Sequence, residues 1–212
     1  AETLVGRIGA ACGFYKIGLQ LLPVGGMELA ARLKGGGYDV FLDFKLHDIP
    51  ATVEKATRSI AEAGAGDLLT VHAEPPVMRA AVAGRAGTGL KILGVTVLTA
   101  YDDAMLAEMG YGLGARDLVL RRVDQAVEAG LDGVVASPLE AEAVRARVPA
   151  DFLIVTPGVR PAGSDAGDQK RIAAPADALK AGASHLVVGR PITGAHDPGE
   201  AASRLAEQMR FA

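Results

Sequence analysis

The sequence contains 212 residues, half of them hydrophobic and 22% charged, with a formal net charge of −3 at pH 7. This length and composition suit a single folded domain over residues 1–212, with enough apolar side chains for a sizeable core. The slight negative charge and the lack of a basic block argue against a nucleic-acid partner. No apolar run reaches the ~18 residues that a membrane span needs.

The sequence contains one cysteine, Cys12, so an intramolecular disulfide is impossible. A chain without disulfides fits a reducing compartment. The first residues show no signal-peptide pattern. We therefore predict a cytoplasmic protein.

Short apolar runs alternate with Ala-, Glu- and Arg-rich stretches along the chain. Repeated strand–helix units of this kind predict an α/β fold with a parallel sheet, whose buried strands are apolar on both faces. The predicted strands are residues 14–18, 40–44, 68–72, 92–98, 133–136, 152–156 and 185–189. The predicted helices are residues 2–8, 27–34, 51–63, 76–83, 115–129, 140–147, 174–181 and 198–209.

Three of these helices end in an Ala-Gly pair, at Ala63-Gly64, Ala129-Gly130 and Ala181-Gly182. Glycine at such a position suits the left-handed conformation that commonly ends a helix. At the start of the helix predicted from residue 51, we expect Asp48 to be the capping side chain and Pro50 to occupy the first turn.

The alternation of strands and helices fits either a doubly wound sheet or a (β/α)8 barrel. Seven strands can be counted, and the chain opens on the helix-like stretch 2–8 with no strand before it. A barrel needs an eighth strand, whose natural place is just upstream of Ala1.

The segment 43–50, with the sequence DFKLHDIP, ends one of the predicted strands. Because side chains alternate along a strand, Asp43 and Lys45 point to the same side, and an inward Lys16 on the preceding strand would meet both. Charges are costly to bury without a purpose, so Lys16, Asp43, Lys45 and Asp48 together indicate a site of chemistry. The alternative is a strand-edge ion pair with a snorkelling lysine.

Polar residues at the ends of other strands are less specific. His47 and His72 lack the spacing of a metal site, and we interpret them as structural or hydrogen-bonding residues. Thr99 follows the strand of residues 92–98, where a hydroxyl either contacts a ligand or stabilises a turn.

Two segments near the C-terminus predict a phosphate site. Arg160 follows the strand of residues 152–156 and precedes a polar loop, 162–171, whose length is typical of a ligand lid. Arg190 follows Gly189 after the last strand, where a guanidinium and backbone N–H groups donate to a phosphate. The loops after the last two strands are the usual phosphate site of (β/α)8 barrels. The alternative is a pair of surface arginines.

Taken in order, these segments resemble the orotidine 5′-monophosphate decarboxylase family. The resemblance spans all 212 residues, and its combined pattern is highly specific. The residues that carry it are 15–18, 43–53 (DFKLHDIPATV), 70–73, 95–99, 156–161, 168–171 and 187–192. It implies a (β/α)8 barrel that removes CO2 from C6 of orotidine 5′-monophosphate to give UMP in pyrimidine biosynthesis, without a metal or an organic cofactor.

The resemblance also assigns roles to the charged residues. Lys45 would stabilise the carbanion at C6 and then protonate it, because no adjacent carbonyl delocalises the negative charge. Asp43 would lie beside the substrate carboxylate, and flanking carboxylates would keep Lys45 protonated. Lys16 would contact the ribose and complete an alternating Lys–Asp–Lys–Asp array.

The same resemblance implies a homodimer in which Asp48 and Thr52 reach into the partner's site, so that an isolated monomer would be nearly inactive. The loop 162–170 would close over the ligand and exclude water. The implied ligand contacts are Thr99 near the pyrimidine, and Arg160, Gln169, Gly189 and Arg190 at the phosphate.

The sequence departs from the family at its N-terminus. The family carries an Ala-Leu-Asp strand whose Asp binds a ribose hydroxyl, and the 212 residues lack this strand. We expect the natural protein to have it, because its loss would expose two sheet edges and part of the core.

Three other readings of the sequence stay open. Sugar-phosphate decarboxylases and aldolases of the same barrel share the Asp-x-Lys-x-x-Asp pattern but use Mg²⁺ to stabilise an enediolate. A non-catalytic module that binds nucleotide phosphates would retain the phosphate site alone. An α/β barrel with merely structural ion pairs is the third.

Overall fold

The computed structural model describes residues 1–160 and 173–210 of the chain. The strands in this part are β1 Phe14–Gly18, β2 Asp39–Leu46, β3 Leu68–His72, β4 Lys91–Val95, β5 Gly133–Val135, β6 Leu153–Thr156 and β7 His185–Leu186. The helices are α1 Glu2–Ile8, α2 Gly26–Gly35, α3 Pro50–Ala63, α4 Pro75–Gly84, α5 Asp103–Glu108, α6 Ala115–Glu128, α7 Ala141–Arg145, α8 Pro175–Lys180, α9 Arg190–Thr193 and α10 Pro198–Arg210. None of the helices described has the length and hydrophobicity to cross a membrane.

The strand order distinguishes the two fold classes that the sequence left open. The sheet runs β1-β2-β3-β4-β5-β6-β7, so neighbours in the sheet are also neighbours along the chain. The pairs β1–β2, β2–β3, β3–β4 and β6–β7 are parallel. A doubly wound sheet reverses its strand order at a switch point, whereas the sheet of a (β/α)8 fold does not. The predicted α/β barrel class is confirmed, and the eighth strand upstream of Ala1 stays a prediction.

The chain divides into two compact units. The first unit consists of Ala1–Cys12, Val97–Arg121 and Val135–Ala212, and the second consists of Gly13–Thr96 and Arg122–Val134. The assignment of residues 1–212 to a single domain stays a prediction.

The core of the second unit is aliphatic. Leu42, Leu69 and Ile92, on three successive strands, are fully buried, and burying a side chain of this size is worth about 1.5–3 kcal/mol. Helices α3 and α4 pack closely at Gly84, where an added Cβ would lie only 2.8 Å from Thr57 Cβ. A larger residue at position 84 would therefore push the two helices apart.

The first unit has its own apolar cluster, formed by Val159, Ala178 and Ala183. In the same unit α1 packs against α10. The Arg7 guanidinium donates to the backbone oxygen of His196 at 2.6 Å. This contact joins the first helix of the chain to the segment that leads into the last one.

A polar residue just before β3, β5 and β7 ties each of these strands to the strand before it in the chain. The side chain of this polar residue accepts a hydrogen bond from the backbone N–H of one residue in the neighbouring strand. The backbone N–H of the polar residue in turn donates to the backbone oxygen of that strand residue. We call these the strand-start pairs: Asp67 with Val40, Asp132 with Ile92 and Ser184 with Ile154. They satisfy backbone groups at the amino ends of β2, β4 and β6 and so hold the strand register.

The three Ala-Gly helix ends behave as predicted. Gly64, Gly130 and Gly182 have φ of 60°, 78° and 100°, which is the left-handed region that glycine adopts without strain. The expected cap of α3 is wrong. Its N-cap is Ile49, with no side-chain cap, and the Asp48 carboxylate instead accepts from the adjacent Ile49 N–H at 2.6 Å.

The bounds differ from the predicted ones mainly where strands run into loops. The strand predicted over residues 92–98 ends at Val95, and the one predicted over 185–189 ends at Leu186. After β4 the apolar run continues past the end of the strand, because Val97 is buried although it is not part of a strand. Two short helices, α5 and α9, were missed, since six and four residues are too few for a periodic pattern.

Candidate active site

The pairing of β2 with β3 is irregular at the carboxyl end of β2, where the candidate site residues Asp43 and Lys45 lie. Against β3, Leu42 pairs with Leu69, but the next paired residues are Leu46 and Val71. Three residues of β2, 43–45, therefore lie opposite a single residue of β3. Such a bulge bends a strand and changes the direction of its side chains, and bulges are common beside active sites.

Lys45 occupies an unusual backbone conformation within this bulge. Its φ is 50°, and among the residues described it is the one non-glycine residue with a positive φ. An L-residue rarely adopts this conformation unless its surroundings hold it there, and such residues cluster at functional sites. The predicted strand ended at residue 44, and no sequence pattern indicated the positive φ at Lys45, so the strained geometry is a finding of the structure.

The charged side chains of β1 and β2 converge on one carboxylate. Lys16 Nζ lies 3.1 Å from Asp43 Oδ2, and Lys45 Nζ lies 2.7 Å from Asp43 Oδ1. The Asp43 side chain is 14% exposed, whereas those of Lys16 and Lys45 are 34% and 24% exposed. The predicted meeting of these three side chains across neighbouring strands is confirmed, and we call them the Lys–Asp–Lys cluster.

The cluster has more positive than negative charge. Burial acts to raise the pKa of Asp43, but the charges of Lys16 and Lys45 and their hydrogen bonds outweigh burial and hold that pKa below its ordinary value. Asp43 is therefore ionised at neutral pH, and two ammonium groups face one carboxylate. A partly buried group of this kind attracts an anion and stabilises negative charge that develops beside it.

A histidine pair lies in the same unit, after β2 and β3. His47 Nε2 is 3.1 Å from Glu74 Oε2, and the rings of His47 and His72 are 4.9 Å apart. Burial lowers the pKa of His72, and the nearby His47 lowers it further, although Glu74 acts in the opposite direction. These contacts fit the predicted hydrogen-bonding role. Residues 1–160 and 173–210 contain no group of three or more His, Cys, Asp or Glu side chains suited to a metal ion.

Asp48 and Thr52 lie on the surface of the chain. Asp48 precedes α3, Thr52 is in its first turn, and both are exposed, as is the intervening Ile49 with 67% of its surface accessible. The single chain thus presents an acidic, a hydroxyl and a large apolar side chain together at the start of one helix.

The predicted phosphate-site residues that the structure describes belong to the first unit. Arg160 is buried, its side chain donates to the Val159 oxygen at 2.9 Å and its N–H donates to the Ala173 oxygen at 3.0 Å. Gly189 and Arg190 are exposed at the start of α9. The Thr99 side chain, also in this unit, is buried. Gln169 and the loop 162–170 lie outside the residues described.

Sequence reasoning missed Thr70, which lies opposite the bulge. Its hydroxyl contacts both the Lys45 backbone and the Asp43 carboxylate. In the run Leu68-Leu69-Thr70-Val71 the threonine is indistinguishable from an ordinary β-branched strand residue, so the sequence gives no sign of a special role. Only the paired strand reveals its role, because a local sequence pattern carries no information on which residue faces a bulge.

Comparison with known proteins gives a consistent result. Residues 1–205 match the model of the "Orotidine 5'-phosphate decarboxylase / HUMPS family". An orotidine 5'-phosphate decarboxylase of Caulobacter sp. (strain K31) is 61% identical over 209 residues, which are 99% of this chain and 91% of that relative. One of Methylorubrum extorquens (strain PA1) is 58% identical over 212 residues, 100% of this chain and 90% of the relative.

The fold comparison agrees. The crystal structure of orotidine 5'-phosphate decarboxylase from Lactobacillus acidophilus matches with a TM-score of 0.83 and 34% identity, covering 98% of this chain and 92% of that one. Relatives and solved structure alike cover nearly the whole chain. The chain therefore belongs to the orotidine 5'-phosphate decarboxylase family, a family of carboxy-lyases.

Proposed function

We propose that this chain converts orotidine 5′-monophosphate to UMP and CO2 in pyrimidine biosynthesis, in the cytoplasm and without a metal or organic cofactor. Membership of the family supports the reaction. The observation that carries the mechanism is the Lys–Asp–Lys cluster, in which Lys16 and Lys45 contact one partly buried carboxylate at the end of β2.

The chemistry requires a cation beside C6. The bond between C6 and the carboxylate breaks, CO2 leaves, and the electron pair stays on an sp2 carbon with no adjacent carbonyl to delocalise it. The Lys45 ammonium stabilises this pair electrostatically and then gives its proton to C6. UMP is formed, and Lys45 regains a proton from solvent once the product has left.

Asp43 has two roles in this proposal. Between the two ammonium groups it fixes their positions, and its low pKa keeps it negative while substrate binds. It lies beside the substrate carboxylate, so repulsion favours the departure of CO2. Lys16 contacts the ribose.

Binding of the phosphate supplies energy far from C6, which organises the reacting end of the substrate. The residues proposed for this contact are Arg160, Gln169, Gly189 and Arg190, while Thr99 contacts the pyrimidine. The loop 162–170 closes over the bound nucleotide and excludes water.

The array is completed by a second copy of the chain. In the proposed homodimer Asp48 and Thr52 reach into the partner's site, which fits their exposure and that of Ile49. Asp48 then adds the second carboxylate to the two lysines and Asp43, and each dimer contains two shared sites.

The test is an assay of the purified protein with orotidine 5′-monophosphate, followed by the fall in pyrimidine absorbance. We expect turnover that EDTA leaves unchanged. A second candidate is the Mg²⁺-dependent sugar-phosphate decarboxylase or aldolase, because such enzymes share the Asp-x-Lys-x-x-Asp pattern of residues 43–48. Turnover of a sugar phosphate that is lost with EDTA and recovered with Mg²⁺, without turnover of orotidine 5′-monophosphate, would favour that candidate. Binding of UMP without turnover would favour the non-catalytic module.

A further inference from the structure

We propose that Thr70 is a positioning residue for the reaction, because its hydroxyl holds the Lys45 backbone and the Asp43 carboxylate in the geometry that aims the Lys45 ammonium. The proposal rests on the function proposed above for Lys45 and Asp43. It concerns a residue that acts through Lys45 and Asp43, to both of which its hydroxyl is hydrogen-bonded.

The register of the strands places Thr70 at the centre of the bulge. The flanking pairs are Leu42 with Leu69 and Leu46 with Val71, so Thr70 is the single residue of β3 opposite residues 43–45. The Thr70 side chain is completely buried. A bulge leaves its extra residues without partners in the ladder, and the contacts of Thr70 replace them.

Both hydrogen bonds of Thr70 have a fixed direction. Lys45 N–H donates to Thr70 Oγ1 at 2.9 Å, and Thr70 Oγ1 donates to Asp43 Oδ1 at 3.0 Å. An amide N–H can only donate and a carboxylate can only accept, so the hydroxyl proton must point to Asp43. The same oxygen, Asp43 Oδ1, is 2.7 Å from Lys45 Nζ.

These contacts form a closed ring. Thr70 holds the main chain of Lys45 at one point and, through Asp43, the ammonium of the same residue at another. Because the φ of 50° at Lys45 is unfavourable for lysine, the conformation needs such anchors. Without them we expect Lys45 to relax toward extended backbone, which moves its ammonium away from C6.

A second buried threonine offers a matched control. Thr57 on α3 is as deeply buried as Thr70, but its hydroxyl has no hydrogen-bond partner in the part of the chain that the structure describes. Replacing either residue by valine keeps the shape and removes the hydroxyl. The two substitutions therefore separate the loss of hydrogen bonds from a change of packing.

The experiment measures kcat and UMP affinity for Thr70→Val, Thr70→Ser and Thr57→Val. We expect T70V to lower kcat about 100-fold, as misplacement of a reacting group by about 1 Å does. Its UMP affinity should stay within about threefold of wild type, because binding uses other residues. T70S retains the hydroxyl, so its kcat and UMP affinity should both stay within about threefold of wild type. The kcat and UMP affinity of T57V should equal those of wild type. A folded T70V with wild-type kcat overturns the proposal.

Two readouts are independent of activity, so failure of the proposed function is distinguishable from failure of this inference. A crystal structure of T70V should show Lys45 outside the left-handed region or its Nζ more than about 4 Å from Asp43; an unchanged Lys45 overturns the inference. If T70V does not fold, hydrogen exchange of the wild type decides. Slow exchange of the Lys45 amide supports the bond to Thr70, and exchange at the intrinsic rate of an unprotected amide overturns it.

Discussion

The two ends of β2 use the same residue types in opposite arrangements. At the amino end, Lys34 Nζ lies 2.8 Å from Asp67 Oδ1 and 3.8 Å from Asp39 Oδ1, so one ammonium faces two carboxylates. Asp67 also accepts from the backbone N–H of Val40 at 2.7 Å. These contacts join α2, β2 and the residue that precedes β3.

At the carboxyl end the ratio is reversed, since Lys16 and Lys45 share Asp43. The backbone also differs, because the strand bulges and Lys45 takes a positive φ. The amino end holds one ammonium between two carboxylates, whereas the carboxyl end has one ammonium more than its carboxylate and contains a strained residue. We therefore expect the amino end to stabilise the fold and the carboxyl end, as proposed above, to act on the substrate.

The strand-start pairs reinforce this interpretation. Asp132 and Ser184 repeat at β5 and β7 what Asp67 does at β3. The Lys–Asp–Lys cluster has no counterpart of this kind in the strands described. Because the strand-start pairs recur along the sheet, we interpret them as part of the fold. We interpret the Lys–Asp–Lys cluster, which differs from them, as part of the candidate site.

The largest effect that separates the two ends is expected from Lys45→Ala. Removing both the cation and the proton donor should lower kcat by at least about 10⁴-fold, while UMP binding is retained. The matched variant is Lys34→Ala, which removes a lysine from the other end of the strand and should leave kcat of the folded enzyme within about threefold. Steady-state kinetics and UMP titration measure both, and a normal kcat for K45A would refute its role.

A mixture of two inactive variants tests the proposal that Asp48 of a second copy of the chain completes the site at the carboxyl end of β2. Asp48→Ala and Lys45→Ala chains should each be inactive, but a heterodimer would hold one intact site. With random exchange, about a quarter of all sites are intact, so about a quarter of wild-type activity should return. No recovery, with subunit exchange shown by mass spectrometry, would mean that the site is not shared.

The substitution Arg190→Ala tests the proposed contact of this guanidinium with the phosphate. Losing a charged hydrogen bond should weaken UMP binding by about 10–100-fold while uridine binding changes by less than about twofold. Isothermal titration with the two ligands gives the ratio. Arg58→Ala on α3, which removes an exposed arginine paired with Glu54, is the control. Equal losses for UMP and uridine would contradict a phosphate contact.

Sequence reasoning accounts for the order of strands and helices and for three members of the site. The strands of residues 14–18 and 68–72 have the predicted bounds, and Lys16 and Lys45 both contact Asp43 as predicted, although a bulge interrupts the alternation on which that prediction was based. Such features depend on local periodicity and on which strands are adjacent. The bulge and the role of Thr70 depend on how two strands pair, and no local pattern records that.

The amino end of β2 should affect stability rather than activity. Asp67→Ala removes the acceptor of the Val40 N–H and the partner of Lys34, which should lower the free energy of unfolding by about 1–3 kcal/mol. The kcat of the folded variant should stay within about threefold of wild type, because the cluster at the other end is untouched. Urea denaturation and kinetics on the same preparation measure both, and a large fall in kcat without a loss of stability would reverse the assignment.

The smallest expected effect is a difference in pH response between the two ends. At the amino end, the hydrogen bond to Asp67 raises the pKa of Lys34 above its ordinary 10.5, with the charges of Asp67 and Asp39 adding to it and burial opposing it. The folded state thus holds this proton more tightly than the unfolded chain. Its contribution to stability is complete below pH 10.5 and declines as the pH rises through the raised pKa.

At the carboxyl end, the contribution of Asp43 to stability changes at acid pH. Burial opposes its ionisation, but Lys16 and Lys45 lower its pKa below the ordinary 3.8. Its contribution is complete above pH 3.8 and is lost as the pH falls through the lowered pKa.

Denaturation from about pH 2 to 5, where Asp43 responds, and from about pH 9 to 12, where Lys34 responds, separates the two ends of the strand. Lys34→Met should abolish part of the alkaline loss of stability and leave the acid limb unchanged, whereas Lys55→Met, at an exposed position of α3, should change neither limb. If K34M and K55M lose stability in parallel with wild type above pH 10.5, then Lys34 gains nothing from its two carboxylates. The contrast between a stabilising and a catalytic end of β2 would then rest on geometry alone.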